Sequence, residues 1–263
     1  QNPNLSYTDS NLPDNTDVLS VGGYVKLDNG LVFEDDFSGT NNWVTTSSSN
    51  LNIASNQLNF NNLVTSTSNN LKISHDLGSS VSDSAWILQF KTNLDTNTND
   101  GMFFAYLSDS QNISAQSSQD AIGTAFYKQP SNLWLVGTSA DNSALDYGTL
   151  NLNTGSPSLA IGTDYYMTIS RTSPTDVEFT VRTGSHTGTV HYTYTGTIPS
   201  SVTGLQYITF GNGNWGNGVS SMVKNGIIDD VAFYDGVTST APANTKLLGL
   251  NDVTFSVGAT SAS

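Results

Sequence analysis

Short stretches in which apolar and polar residues alternate recur along most of this chain, and they restrict it to a fold built from strands. In 176–182 every second residue, from Val177 to Val181, is apolar, so one face of the segment is apolar and the other polar. The preceding segment, 164–171, is separated from it by a turn containing Pro174. The pattern predicts two strands joined as a hairpin.

Between 31 and 236 the same strand–turn–strand pattern continues, and no segment shows a sustained helical period with caps. Many short strands at regular spacing predict an all-β fold, a two-sheet antiparallel β-sandwich of the jelly-roll type. Besides the hairpin at 164–182, the turn signals predict three more, which are 51–53 with 57–60, 84–91 with 102–107, and 121–127 with 133–136.

Both ends of the chain differ from this central part. Residues 1–27 are rich in turn residues and predict an extended N-terminal arm, followed by the jelly-roll domain at 28–237. Residues 238–263 predict a C-terminal linker, with an extra strand at 252–257 where the residues alternate again.

Charge excludes several kinds of partner. The chain has 8 Lys and Arg against 22 Asp and Glu, a formal net charge of −14, so no basic surface is available to neutralise the phosphates of a nucleic acid. No run of 18 apolar residues occurs, so no membrane insertion is expected. The absence of Cys excludes disulfides and thiolate chemistry.

Three segments carry a resemblance to a known superfamily. They are 33–39 followed by Trp43, then 165–171, and then 228–234. In sequence, order and separation they resemble the opening, middle and closing strands of the concanavalin A-like lectin/glucanase superfamily, in particular its laminin-G-like jelly-roll members. The resemblance covers roughly 31–236 and implies the jelly-roll fold, but its members include lectins, glucanases, lyases and adhesive domains.

The catalytic patterns of that superfamily are not recognisable here. Its glucanases carry a Glu-x-Asp-x-Glu strand that places three carboxylates on one sheet face. This chain has only Glu34 and Glu178, and neither lies in such a motif. Alginate-lyase-like members use an Arg, Gln, His and Tyr set on neighbouring strands, and no such set is evident from the sequence. We therefore expect a protein that is not an enzyme.

Acidic residues at both ends of the central domain predict a structural calcium site. The resemblance implies a cation that ties the first strand to the last, and Glu34, Asp36, Asp229 and Asp230 are the candidate ligands. Carboxylates brought together without a cation would have raised pKa values and would destabilise the fold at neutral pH. The alternative is that these residues are solvated at turns and edges.

Two further groups of ionisable residues are interpreted as surface features. Asp176 and Glu178 share one face of a strand, as an acid–base pair would, but this is the face opposite the core and is expected to be solvated. His186 and His191 lie close in sequence without the spacing of a catalytic triad, and they are expected to be ordinary surface residues.

A glycine- and asparagine-rich loop at 211–218 is the candidate ligand site. An aromatic ring can stack on the CH groups of a sugar while side-chain amides bond its hydroxyls. The candidate residues are Trp215 with Asn212, Asn214 and Asn217. The alternative is a hairpin whose Trp215 folds back over the core.

The sequence as a whole favours a non-catalytic, lectin-like module that binds a glycan or polysaccharide outside the cell or at its surface. One alternative is a structural subunit or module of a cell-surface layer, filament or adhesin, whose arms at 1–27 and 238–263 contact neighbouring copies or domains by strand addition. A second alternative is a divergent glycan-cleaving enzyme, which would need two carboxylates about 5 to 9 Å apart in a groove.

Overall fold

A computed structural model describes residues 30–39, 43–45, 49–65, 72–95, 101–111, 118–129, 132–143, 159–211 and 222–238. All of them belong to one unit, Asp28–Pro242. The predicted arms, the strand at 252–257 and the loop at 212–221 lie outside the described residues, so the domain boundaries stay predictions. The described residues contain no helix of the length and apolarity needed to cross a membrane.

The described residues form strands joined by turns, and none of them is helical. In chain order the fourteen strands are β1 (Leu31–Asp35), β2 (Trp43–Thr45), β3 (Leu51–Ala54), β4 (Gln57–Thr65), β5 (Lys72–Asp76), β6 (Trp86–Leu94), β7 (Gly101–Ser108), β8 (Gln119–Gln129), β9 (Asn132–Ser143), β10 (Asp164–Arg171), β11 (Asp176–Thr183), β12 (Thr189–Thr197), β13 (Tyr207–Gly211) and β14 (Met222–Asp235).

Two antiparallel sheets make up the sandwich, as predicted. Sheet A has the order β12-β11-β10-β6-β14-β4-β3, with β1 also paired to β14, and sheet B has the order β2-β5-β13-β7-β8-β9. The last strand, β14, pairs with β6 along one edge. Along its other edge it pairs first with β4, up to Ile228, and then with β1, from Val231. The opening and closing strands therefore lie side by side.

Apolar side chains from both sheets fill the space between them. In β10 and β11 the apolar positions of the alternation are buried, so the period of two in the sequence becomes an inward-pointing face. The largest apolar side chains of the core are fully buried aromatics from both sheets, including Trp86, Phe90, Phe179, Phe210 and Phe233. Burial of these rings supplies much of the hydrophobic stabilisation of the fold.

One cation is completely buried at the end of this core. The side chain of Arg171 is 0% exposed, and its guanidinium donates to three backbone carbonyls. The acceptors are Val202 at 2.8 Å, Pro174 at 2.6 Å and Ser173 at 3.3 Å. Arg171 therefore fixes the β10–β11 turn to the segment before β13.

Three of the four predicted hairpins are confirmed, namely β3–β4, β8–β9 and β10–β11. The predicted hairpin of 84–91 with 102–107 is wrong. The first segment is β6, which pairs with β10 and β14 in sheet A. The second is β7, which pairs with β8 and β13 in sheet B. A turn-rich connection is compatible with a crossing between sheets as well as with a hairpin, and the sequence does not distinguish the two.

Candidate functional site

The outer face of sheet A, which points away from the core, carries a polar groove of about 240 Å³. We call it the outer-face groove, and it is lined by Ile87, Gln89, Thr168, Ser170, Glu178, Thr180, Arg182, His186 and Thr238. Most of these side chains come from three adjacent strands, β6, β10 and β11. The groove is therefore built mainly on paired strands.

Strand register arranges most of the lining residues in three rows across the sheet. Because neighbouring strands pair in register, outward-pointing residues of β11, β10 and β6 lie next to one another. From one end of the groove to the other, the rows are Arg182–Tyr166–Lys91, Thr180–Thr168–Gln89 and Glu178–Ser170–Ile87. A basic row therefore lies at one end, hydroxyls and an amide in the middle, and Glu178 at the other end.

The middle of the groove holds polar side chains that are buried although they face outward. Gln89, Ser170 and Thr180 are only 6%, 5% and 5% exposed. Gln89 Nε2 donates to Thr168 Oγ1 at 3.4 Å, and Thr180 Oγ1 donates to Glu178 Oε1 at 3.2 Å. Buried polar groups need such partners, and these bonds hold the hydroxyl and amide groups in fixed orientations.

Arg182 supplies a positive charge at one end of the outer-face groove. Its Nη1 donates to the carbonyl of Gly188 at 3.0 Å, in the turn between β11 and β12. Among the described residues, both ion pairs belong to Lys91, so no described carboxylate lies within ion-pair distance of Arg182. The guanidinium is thus anchored at one N–H group and without a paired anion in the described part of the chain.

His186, in the same turn, closes this end of the groove. Its ring meets that of Tyr166 edge-on, with centroids 5.2 Å apart. Both ring nitrogens are buried, and neither has a hydrogen-bond partner among the residues that the structure describes. Burial lowers the pKa of His186 below 6.5, and Arg182 adds to this decrease, whereas Asp230 opposes it. The expectation that His186 is an ordinary surface residue was wrong, because the turn folds its ring onto the sheet; His191 is exposed, as expected.

A second recess of about 240 Å³ adjoins the groove at the β11–β12 edge of sheet A. It is lined by Thr172, Asp176, Val177, Glu178, Thr195, Gly196 and Thr197. Glu178 lines both cavities. Asp176 and Glu178 do face away from the core, as predicted, but Glu178 is half-buried in a recess and is not on an open, solvated face.

Lys91 lies between two carboxylates beside the groove. Its Nζ is 3.4 Å from Asp164 Oδ2 and 3.7 Å from Asp229 Oδ2. Burial alone would lower the pKa of Lys91, but Asp164 and Asp229 together raise it. Burial raises the pKa of Asp229, and the attraction of Lys91 only partly offsets the rise. The positive charge beside Asp229 is therefore the ammonium of Lys91.

The four predicted calcium ligands do not form a ligand set. Glu34 lies opposite Ala232, Asp36 Oδ1 accepts from Ser38 N at 2.9 Å, and Asp229 Oδ1 accepts from Asp230 N at 2.9 Å. Across the described ranges, no group of three or more His, Asp or Glu side chains could hold a metal ion. These residues as placed do not fit calcium, and calcium itself stays a prediction.

The predicted ligand loop, with Trp215, Asn212, Asn214 and Asn217, lies outside the described residues, and its role stays a prediction. Sequence reasoning missed the groove residues Gln89, Thr168, Ser170 and Arg182. For Thr168, Ser170 and Arg182 the available signal was the polar half of the alternation in 164–171 and 176–182. Which strands these polar positions would adjoin depends on sheet order, which the pattern does not contain.

Gln89, Tyr166, Arg182 and His186 are the four residue types that the resemblance associates with alginate-lyase-like members. The sequence did not show them as a set, but the fold places them on one sheet face, on neighbouring strands and the adjoining turn. His186 lines the outer-face groove, and both of its ring nitrogens are buried.

Comparisons by sequence identify no relatives, since no protein-family model and no curated protein matches the chain. Comparison of structures finds proteins of similar fold. The CBM2 module of the evolved Dit of Lactobacillus casei BL23 phage J-1 superposes with a TM-score of 0.51 at 12% identity, over 80% of this chain and 97% of that one. Basic winged bean lectin with Tn-antigen gives 0.51 at 11% identity, over 76% and 96%.

The chain has a concanavalin A-like jelly-roll fold. An alginate lyase, Aly36B, in complex with alginate tetrasaccharide is also similar, with a TM-score of 0.51 at 11% identity over 78% of this chain and 97% of that one. Binding modules, lectins and enzymes thus share this jelly roll. At such identities the likeness establishes the fold, and function has to be argued from the site.

Proposed function

We propose that this protein is a non-catalytic carbohydrate-binding module and that the outer-face groove binds its ligand. One observation carries the proposal. The groove presents three rows of side chains whose hydroxyl, amide and charged groups are largely buried and held by hydrogen bonds, yet face outward from the sheet. A recessed row of this kind suits a ligand that is itself covered with hydroxyl groups.

Each part of the groove has a role toward a sugar. The Thr168 and Thr180 hydroxyls both donate and accept, as sugar hydroxyls do, and Gln89 offers an amide. Ile87 supplies an apolar patch for ring CH groups. The Tyr166 ring lies in the first row, beside Arg182. A cavity of about 240 Å³ suits a ligand unit of roughly one sugar ring, since sites for drug-sized ligands begin near 300 Å³.

The structures that share the fold support a glycan as the ligand. Among them, the winged bean lectin contains Tn-antigen and the lyase contains alginate tetrasaccharide. A glycan or polysaccharide ligand in turn favours action outside the cell or at its surface. The loop with Trp215 would add an aromatic contact to such a ligand.

Binding is favoured over cleavage by the chemistry of the groove. Glycosidases act with two carboxyl groups that flank the scissile bond. Among the described residues, Glu178 is the one carboxylate that lines the outer-face groove. Asp176 lies two residues along the same strand, about 7 Å away, but in the neighbouring recess, where its Oδ2 accepts from Ser173 Oγ at 2.5 Å.

A glycan array tests the proposal with two matched variants. Thr168→Val removes a hydroxyl from the middle of the groove with almost no change in shape, and Thr45→Val does the same on sheet B. We expect the wild type and Thr45→Val to bind the same glycans and Thr168→Val to bind them at least roughly fivefold more weakly, as for one lost hydrogen bond. Absence of binding to any glycan, or equal binding by all three proteins, would contradict the proposal.

Glycan cleavage is the second candidate. The observation in its favour is the pair Asp176 and Glu178, whose separation along one strand of about 7 Å lies in the range of glycosidase carboxylates. Incubation of an array-positive glycan with the protein, followed by measurement of new reducing ends and unsaturated products, distinguishes the two. Product formation that Glu178→Gln abolishes would establish an enzyme.

A further inference from the structure

We propose that two copies of this chain pair through the outer edge of β12, antiparallel to each other and about a two-fold axis at Tyr194. Sheet A then continues from one copy into the next, and the two outer-face grooves lie on the same face of the joined sheet. The pairing itself does not depend on the carbohydrate-binding function proposed above. The use of both grooves by one ligand does rest on that function.

The exposed edge of β12 is the first observation. β12 is the outermost strand of sheet A, and among the described residues it pairs with β11 alone. Its side chains are exposed or half-buried throughout, and Val190 is 47% exposed. The long edge strand of sheet B, β9, differs, because Leu135 and Ala140 are buried there. The edge of an exposed strand presents N–H and C=O groups to which another strand can add.

Charge is absent from this edge. The residues 183–223 include no Lys, Arg, Asp or Glu, although the chain has a formal net charge of −14. Edge strands are commonly protected by charged side chains, by Pro, by a bulge or by being very short. β12 has nine residues and neither Lys nor Pro. Its one irregularity is a bulge at His191, which leaves a regular stretch from Tyr192 to Thr197.

The neutral edge suits a second copy of the same strand. A partner that adds here gains backbone hydrogen bonds and side-chain contacts, but it finds no charge on β12 to pair with. A second β12 brings no charge of its own. Pairing about a two-fold axis further requires that the surface be complementary to itself.

The regular stretch of β12 has this complementarity. With the axis at Tyr194, that ring faces its own copy, and Tyr192 faces Gly196 of the second copy. Both rings are half-buried against the core, and a glycine leaves room for an aromatic ring opposite it, a pairing that stabilises sheets. On the outer face Thr193 lies opposite Thr195 of the second copy, which is a favourable cross-strand pair. A neighbouring axis would place Gly196 or Tyr192 opposite a residue outside the stretch.

The pairing would extend the hydroxyl row of the outer-face groove. In the middle row, Thr168 is followed by Thr180, and Thr180 Oγ1 lies 3.2 Å from Thr193 Oγ1 on β12. Thr195 of the second copy comes next, so that the second copy contributes a hydroxyl to the row. The two β11 strands are then three strand spacings apart, roughly 14 Å. One polysaccharide chain could therefore contact both grooves.

Sedimentation velocity of the full chain without glycan tests the pairing. Six residues a side are far fewer than the roughly 20 to 30 of a standard interface. We therefore expect a transient dimer that is scarce at about 5 µM and makes up at least about a third of the protein at about 500 µM. Because each copy carries a charge of −14, added salt should strengthen the wild-type dimer by screening the repulsion between copies. An interface made by opposite charges would weaken instead.

Two double variants test the axis at Tyr194. In Thr193→Asp/Thr195→Lys, opposite charges face each other twice across the axis, and in Thr193→Lys/Thr195→Lys like charges do. We expect the first to dimerise at least roughly threefold more tightly than the wild type and the second at least roughly tenfold more weakly. Both positions are exposed, and circular dichroism checks that each variant is folded. Thr45→Lys, on the edge strand β2 of sheet B, is the control and should dimerise as the wild type does.

The outcomes separate the pairing from the proposed function. A wild type that stays monomeric throughout would overturn the pairing, as would dimers that both double variants leave unchanged, the result for contacts through the arms at 1–27 or 238–263. Weakening by both double variants would overturn the axis at Tyr194. None of these results bears on carbohydrate binding, which the array decides independently.

The shared use of two grooves has its own measurement. On an immobilised polysaccharide taken from the array-positive glycans, Thr193→Asp/Thr195→Lys should be retained longer than Thr193→Lys/Thr195→Lys. The ratio should exceed the ratio of their affinities for a short oligosaccharide of the same sugar, because a dimer binds the polymer at two sites. Equal ratios would overturn the joined grooves while leaving both the dimer and carbohydrate binding in place.

Discussion

The ammonium of Lys91 lies 3.7 Å from the carboxylate of Asp229, across the central strand pair β6–β14 of the sandwich. Asp229 stands where β14 changes its partner from β4 to β1, and Asp230, which follows it, has a positive φ of 49°. Asp tolerates that conformation better than most residues. A bulge and a carboxylate thus occur at the junction of the first and last strands, with a lysine from the middle of the sheet beside them.

Replacement of Lys91 measures how much its ion pairs with Asp229 and Asp164 contribute to the stability of the fold. Lys91→Met keeps the length of the side chain and removes the charge between Asp229 and Asp164. Both carboxylates are partly exposed, at 18% and 47%, so we expect the free energy of unfolding to fall by about 1 kcal/mol in urea denaturation. Asp164→Asn, at the more exposed partner, is the matched control and should cost less. An unchanged stability in Lys91→Met would mean that the pair is not formed in solution.

Chelation tests whether a bound cation is also needed at this junction. Asp229 has Lys91 and the backbone N–H of Asp230, and Asp36 accepts from Ser38 N. We therefore expect EDTA to leave the melting temperature unchanged. A tightly bound ion must stabilise the folded state. A fall of several degrees in the melting temperature that added calcium reverses would support the calcium site predicted from the sequence.

Arg171 allows a prediction about the end of the core. The buried guanidinium satisfies carbonyls on two segments, so Arg171→Met leaves the carbonyls of Val202 and Pro174 without that donor. We expect a loss of about 3 kcal/mol in the free energy of unfolding. Arg182→Met, which removes a half-buried arginine with one carbonyl partner, should cost roughly 1 kcal/mol. Similar losses in both variants would contradict the role assigned to Arg171.

The lowered pKa of His186 predicts that the stability of the fold depends on pH. Because burial sets its folded-state pKa below the ordinary 6.5, the unfolded state binds the proton more tightly. Its neutral form is therefore fully compatible with the fold above about pH 6.5, and stability decreases as pH falls through that value toward the lower folded pKa. His186→Gln should flatten this part of the profile.

Thermal unfolding between pH 8 and pH 5 measures the difference. His191→Gln, at an exposed histidine five residues further on, is the matched control. A profile of His186→Gln that runs parallel to the wild-type profile would show that the ring is not buried in its neutral form.

Local alternation in the sequence was sufficient to predict the strands. Which residues form the site depends on the order of the strands in the sheet, which the alternation does not contain. The hairpin β10–β11 was predictable because 164–182 contains its own register and turn. The pairing partners of β6 were not predictable, because a turn-rich connection to β7 does not show that the chain crosses to the other sheet. Gln89 and Arg182 come together only because β10 lies between β6 and β11. The same long-range pairing places Lys91 beside Asp229, a contact that the sequence did not predict.

The most direct test of the outer-face groove as a carbohydrate site is a two-dimensional NMR titration of the assigned protein with a glycan that it binds on the array. The account predicts that the largest shifts of backbone amide signals fall on β6, β10 and β11, around Gln89, Thr168 and Thr180, and that they are smaller in Thr168→Val at the same sub-saturating glycan concentration. Saturable shifts confined to sheet B, with these three strands unaffected, would contradict it.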